Sequence, residues 1–383
     1  MMYEKEVKEK VTAILPQVVT WRRHFHEYPE LSGKEVKTSA YIQDVFKNLG
    51  IPYETGFFQN AVLGIIKGSH PGKTVALRAD MDALPVTELT GLPFASKNEG
   101  VMHACGHDGH MSILLGAAAV LNEMKDQIHG TVKIVFQPAE EEAASGKLDD
   151  VSEIYGLHVW PELPTGQVGL KPGALMAASD RFYVHIKGKS THAAQPHNGT
   201  DALVAAAHFI IDVQSLISRE MNPMDNVVCT IGLMNAGTRY NVGVEDAYLE
   251  GTCRTYRPEL RDKMEARLGE ILKGLDVMFH THSELNYVRG HSATINTPEK
   301  IDFLKKVGKA YLGEEHITEP EFPSMCAEDF SSYLEKFPGA FFWLGTGDGN
   351  TPALHNASFA INESILPLGI TLEAAAALEA LSR

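Results

Sequence analysis

Apolar strand-like runs separated by helical patterns restrict most of this chain to an α/β sheet covered on both faces. AVLGIIKG (61–68), TVALRAD (74–80), TVKIVFQ (131–137) and IYGLHV (154–159) are such runs. An amphipathic helix is expected over 3–27, with Val7, Val11, Ile14, Leu15 and Val18 on one stripe. A second is expected over 34–49, stopping at Gly50, and a third over 112–126. Near residue 180 the pattern changes. FYVHIKG (182–188), a helix over 200–219, NVVCTIGLM (226–234), AYLEGTCRT (247–255), a helix over 258–275 and a strand over 277–288 follow in a β-α-β-β-α-β series, the order of a ferredoxin-like unit. The α/β character then resumes with helices over 298–312 and 328–336, strand AFFWLG (340–345) and a C-terminal helix from about 363. A chain of 383 residues also exceeds what one core usually supports. The expected fold is α/β: a mixed-sheet domain with helices on both faces (1–179 and 292–383), interrupted by an inserted ferredoxin-like α+β (βαββαβ) domain (180–291).

Charge narrows the partners. Lys plus Arg number 34 against 49 Asp plus Glu, a formal net charge of -15. That sign argues against nucleic acid or an anionic membrane, which are bound by clustered cations, but not against divalent metal, which takes carboxylate and imidazole ligands. The cysteines, at 105, 229, 253 and 326, form no CxxC pair and no disulfide framework. The N-terminal run MMYEKEVKEKVTAIL is charged and lacks a signal peptide's apolar core, and no apolar run approaches 18 residues. A cytoplasmic setting is expected.

Chemistry is concentrated in a few places. His103-Ala-Cys105-Gly-His107-Asp108-Gly-His110, expected just before a helix, gathers three histidines, a thiol and a carboxylate into eight residues. Imidazole and thiolate are donors for zinc-like ions; the alternative is a solvated loop whose histidines cap the helix. Glu140, Glu141 and Glu142 follow strand 131–137, where α/β sheets place active sites. Paired carboxylates there can divide the work, one binding an ion and the other moving a proton, or can simply favour a helix dipole. Asp80 and Asp82 lie where strand 74–80 ends and suit the holding of a histidine in one tautomer, unless Arg78 and Asp80 form only a surface pair. His158 and His355 are ambiguous singly and gain weight as members of a set.

RRHFHEYPELS (22–32), RADMDALP (78–85), HACGHDGH (103–110), FQPAEE (136–141), GLH (156–158), HAAQPH (192–197), NV (241–242), EGTCRT (250–255), AEDF (327–330) and LH (354–355) occur in that order. Together they resemble the dinuclear-metal aminoacylase family, which includes hippurate hydrolases, plant auxin-conjugate hydrolases and N-acetyldiaminopimelate deacetylases. The resemblance implies a metal-dependent amidohydrolase of N-acyl amino acids, acetyl- or benzoyl-type, with two divalent ions (Mn, Zn, Ni or Co) per subunit. It places Cys105, His107, Glu141, His158 and His355 as ligands, with Cys105 bridging, and Glu140 as general base. Asp82 or Asp80 would orient a ligand, Asp82 being favoured because it lies three residues before the proline. His192 would polarise the scissile carbonyl, often in the partner subunit's site, and Asn241 and Arg254 would bind the substrate carboxylate. An inserted domain with a free sheet edge suits a homodimer or higher homo-oligomer. Glu142-Ala-Ala-Ser-Gly, NVGVED (241–246) and SMCAEDF (324–330) depart from the family's usual glycines and proline-containing turn, which bears on the acyl group and amino acid more than on the chemistry. Rival readings are a dipeptidase or aminopeptidase using the same site, a cysteine hydrolase built on Cys105, and a non-catalytic metal-binding scaffold.

Overall fold

The computed structural model describes residues 3–138 and 147–382. It divides into two compact units, one comprising the chain up to Gly173, Ile295–Glu321 and the residues from Ser332, the other Ala174–Thr294 and Phe322–Ser331. The chain enters the first unit through α1 (Glu4–Glu27), α2 (Val36–Leu49), β1 (Tyr53–Glu54), β2 (Val62–Lys67), β3 (His70–Asp80), α3 (His107–Glu123), β4 (His129–Gln137), β5 (Val151–Pro164) and β6 (Val168–Gly169). It continues through β7 (Gly173–Met176), β8 (Ala178–Lys187), α4 (Ala202–Ser215), β9 (Val227–Ala236), β10 (Asp246–Thr255), α5 (Pro258–Phe279), β11 (His282–Arg289) and β12 (Thr294–Asn296). It closes with α6 (Pro298–Tyr311), β13 (Ile317–Thr318), α7 (Ser331–Leu334), β14 (Gly339–Gly347) and α8 (Leu366–Leu381).

The first unit is built on an eight-stranded sheet in the order β1-β2-β4-β3-β5-β14-β6-β13. β4, β3, β5 and β14 run parallel, whereas β1 pairs antiparallel with β2, β2 with β4 and β6 with β14, and β13 pairs parallel with β6, so the sheet is mixed. β14 is buried at every position, as a strand covered on both faces must be. α1, α3 and α8 pack on one another, and α3 and α8 pack on β3. α3 from Met111 to Leu121 and α8 are mostly apolar and buried because each is enclosed rather than lying at a surface. The second unit has a four-stranded antiparallel sheet, β11-β8-β10-β9, whose core joins Phe182, Val184 and Leu249 to Phe209, Met264 and Leu268 of its two helices.

Several elements differ from the sequence expectation. α3 starts at His107, not at 112, so most of the histidine cluster lies on the helix. β5 extends over fourteen residues through Pro161 to Pro164. α5 continues to Phe279 and moves the last strand of its unit to His282. The helix expected over 328–336 shrinks to the single turn Ser331–Leu334, and α4 gives way to a π-helical turn at Leu216–Glu220. Among the described residues, two helical spans, Ala202–Glu220 and Glu363–Leu381, are long and apolar enough to cross a membrane by composition, although polar residues interrupt both; 78% of the most apolar stretch of the second is buried.

Glu373 of α8 is 1% exposed, and its Oε2 has no hydrogen-bond partner among the described residues. Burial raises its carboxyl well above the usual range. In the unfolded chain the group ionises above about pH 4.3, while the folded chain keeps it protonated, so its contribution is full below that pH and falls as pH rises, by about 1.4 kcal/mol per unit until the folded pKa is reached. Glu373→Gln removes the titration. The melting temperature of the variant relative to wild type is expected to rise from pH 5 to pH 8; a constant gap across that range excludes a proton held by Glu373.

Candidate metal centre

Gly106 sets the geometry of the cluster. It caps α3 in the left-handed region (φ 86°), and a Cβ there would lie 2.4 Å from Cγ2 of Val159; both demands select glycine. The turn leaves Cys105 just before the helix and puts His107, Asp108 and His110 in its first turns. β3 delivers Asp80 at its end, and β5 delivers His158 from the same sheet.

Ligand atoms of Cys105, His107 and His158 lie within 4.8 Å of one another, as do those of Asp80, His107 and His110. Cys105 Sγ is 3.3 Å from His158 Nε2. His107 Nδ1 donates to the carbonyl of Asp82 at 2.8 Å and to its Oδ1 at 3.1 Å, so its Nε2 faces away from that carboxylate. Asp80 hydrogen-bonds elsewhere: Oδ1 accepts from His110 Nδ1 at 2.7 Å and Oδ2 from Arg78 Nη1 at 3.1 Å, while Oδ2 lies 3.6 Å from His107 Nε2. His158 Nδ1 donates to the carbonyl of Val159 at 2.7 Å. The two carboxylates left open by the sequence thus hydrogen-bond different histidines, although both face His107.

Burial opposes charge throughout this cluster, yet the groups compensate one another. It disfavours the Cys105 thiolate, but the imidazoles of His158 and His107 outweigh that and hold the thiol well below its usual range. It disfavours a charged His107, but Asp80, Cys105 and Asp82 hold that imidazole well above. Asp80 is kept well below its range, against burial, by His107, His110 and Arg78. For His110 burial prevails over Asp80, and its pKa falls to about 4. A low thiol beside imidazoles whose second nitrogens are already bonded is the donor set of a divalent transition-metal ion with its supporting hydrogen bonds. These residues fit such an ion.

His355 adopts φ 67°, and its amide donates to the carbonyl of Ala104 at 2.8 Å. A hydrogen bond to Cys105 raises its imidazole above the ordinary value, against burial. Glu140 and Glu141 lie outside the described residues. The remaining candidates belong to the second unit. His192 is exposed, its Nδ1 accepts from the amide of Ala194, and its segment is bridged to the Asn241-Val242 segment. Asn241 Oδ1 is buried with no partner among the described residues. Arg254 donates to Thr252 Oγ1 and to the carbonyl of Cys253, and pairs with no carboxylate among the described residues.

One buried constellation escapes any single motif. Arg22 Nε and His26 Nδ1 both donate to Asp108 Oδ2 at 2.8 Å, and His26 Nε2 donates to Glu88 Oε1 at 3.1 Å. Arg22, His26 and Asp108 are each 1% exposed. The available signal is a polar pair at i, i+4 on the otherwise apolar stripe of α1. His103 is also buried, with neither ring nitrogen bonded among the described residues.

The sequence profile of the peptidase family M20/M25/M40 matches residues 76–379. The chain is 39% identical to an N-acetyl-L-cysteine deacetylase of Bacillus subtilis, over 91% of this chain and 85% of the relative. It is 35% identical to a thermostable carboxypeptidase of Saccharolobus solfataricus, over 98% of both chains. Among solved structures, it is similar to a dinuclear metal binding peptidase of the M20 family from Bacillus subtilis, with a TM-score of 0.86, 34% identity and coverage of 97% of this chain and 99% of that one. With a thiol-imidazole cluster suited to divalent metal inside such a fold, this chain belongs to the peptidase family M20/M25/M40 and is a metal-dependent hydrolase of amide bonds.

Proposed function

We propose that this enzyme hydrolyses the amide of N-acylated amino acids, acetyl- or benzoyl-type, at a site of two divalent ions (Mn, Zn, Ni or Co) held by Cys105, His107, Glu141, His158 and His355. The observation that carries the reading is the convergence of the Cys105 thiol with the His107 and His158 rings, whose other nitrogens are occupied by Asp82 and Val159. The N-acetyl-L-cysteine deacetylase relative supports the acyl group. The carboxypeptidase relative agrees with the same bond class, since both names describe an amide to an amino acid bearing a free carboxylate.

When bound, such ions lower the pKa of a water from near 16 toward about 7 and polarise a carbonyl. The chain's own residues do the rest. Asp82 keeps the proton of His107 on Nδ1, so that Nε2 presents its lone pair. Glu140 takes a proton from the attacking water and returns it to the departing amine. His192 donates toward the carbonyl oxygen as charge develops there, and Asn241 and Arg254 bind the substrate carboxylate; these three assignments rest on the family resemblance. Contact between copies is assigned to the second unit, where β9 and β11 are the outer strands of the sheet.

The test is to strip the protein with a chelator, reload it with each of the four ions, and assay acetyl- and benzoyl-amino acids against dipeptides by released amine. Hydrolysis of the acylated compounds only after reloading is expected. Full activity in stripped protein would remove the metal from the reading, and faster cleavage of dipeptides would replace the acyl assignment with a peptidase.

A further inference from the structure

We propose that His110, although it belongs to the same cluster as the candidate ligands, is a positioning residue that holds β5 at Val159, and with it His158, against Asp80. The proposal rests on the metal-site reading above. β3 and β5 pair up to Arg78↔Gly156, and β3 ends at Asp80. Val159 lies beyond that pairing, and its amide donates to His110 Nε2 at 2.9 Å. The imidazole thus takes over from β3 as the hydrogen-bonding neighbour of β5.

The same bond fixes the tautomer. An N–H can donate only to a nitrogen with a lone pair, so Nε2 of His110 carries no proton, and the ring's proton sits on Nδ1. That nitrogen lies 2.7 Å from Asp80 Oδ1. Both nitrogens are therefore used within the protein, and neither offers a lone pair to an ion. Proximity alone groups His110 with Asp80 and His107 as a candidate ligand set; its hydrogen bonds remove it from that set.

The grip reaches His158 through one residue. The amide of Val159 is held by His110, and its carbonyl accepts from His158 Nδ1 at 2.7 Å. With Nδ1 tied down, Nε2 of His158 faces Cys105 Sγ at 3.3 Å. Removing the acceptor on His110 leaves a buried amide unsatisfied and releases the peptide that aims His158. Partners of this kind are worth about 10- to 100-fold in metal affinity.

The experiment follows the histidine rings directly. Long-range nitrogen–proton correlation spectra are recorded on the full chain labelled with 15N-histidine, first free of metal and then with zinc ion added. His110 is expected to show the neutral Nδ1–H tautomer in both states, while Nε2 of His107 and of His158 shifts on addition of zinc. In parallel, His110→Asn, which keeps a donor toward Asp80 and loses the acceptor for Val159, is expected to bind zinc about 10- to 100-fold more weakly, with the wild-type number of ions at saturation. A zinc-dependent shift of Nε2 in His110 overturns the proposal, as does a variant that holds one ion fewer at saturation or keeps wild-type affinity within twofold. If His107 and His158 do not respond to zinc, the metal-site reading itself falls, and the proposal with it. The wild-type spectra suffice where the variant does not fold.

Discussion

Replacing Glu140 by Gln is expected to lower turnover of N-acylated amino acids by about 10²- to 10⁴-fold, while bound metal and melting temperature stay at wild type. Gln preserves the volume and the carbonyl oxygen of Glu but cannot take a proton from water, so only the proton-transfer step is removed. Glu141→Gln is the control one residue away. It replaces a proposed ligand, so it should lose metal as well as activity. Elemental analysis of both proteins beside their turnover separates the two roles. A metal-loaded Glu140→Gln protein that retains activity would end the assignment of Glu140 as base. If it is Glu140→Gln that sheds metal while Glu141→Gln keeps it, the two roles are exchanged.

The Cys105-Gly-His107 cluster is legible because it is local: Cys105 and His107 are two residues apart, and the glycine between them is the kind of residue a left-handed turn needs. The sheet's strands were legible for a similar reason, being short apolar runs bounded by polar turns. What the sequence did not convey depends on contacts between distant segments. Asp80 and Asp82 occupy equivalent places in one short run, and only the fold sends one to His110 and the other to His107. His110 reads as one more histidine until β5 arrives beside it with an unpaired amide. The boundaries that moved did so for nameable causes. β5 tolerates Pro161 and Pro164 near its end, where a proline is normally taken to stop a strand. α3 begins at His107 because Gly106 supplies its cap, a start that the apolar run, beginning only at Met111, does not mark.

Asp108→Asn is expected to destabilise the folded chain by about 3–5 kcal/mol, the usual cost of breaking a buried ion pair from one side. The variant retains the shape of the side chain but leaves Arg22 and His26 facing a neutral amide, both enclosed. His26 donates from both nitrogens, to Asp108 and to Glu88, which requires the charged ring. Burial favours the neutral form, but the two carboxylates outweigh it and raise the pKa from 6.5 to about 9. The folded value is the higher one, so this contribution is fully present below about pH 6.5 and is lost as pH rises through 9. Removing Asp108 should therefore flatten the fall of wild-type stability across that interval, and melts at pH 6 and pH 9 measure it. A loss below about 1 kcal/mol, or an unchanged pH dependence, would contradict the charged state. Arg22→Met with Asp108→Leu tests what the pair is for. Well-packed apolar replacements of a buried pair are often neutral or stabilising, so the double variant should recover the part of the loss that Arg22 accounts for and leave the part due to His26, which keeps only Glu88. If it does so while binding zinc ion more weakly than wild type, the pair serves to place the first turn of α3, and His107 with it; wild-type affinity in a stable double variant would reduce the pair to a structural contact.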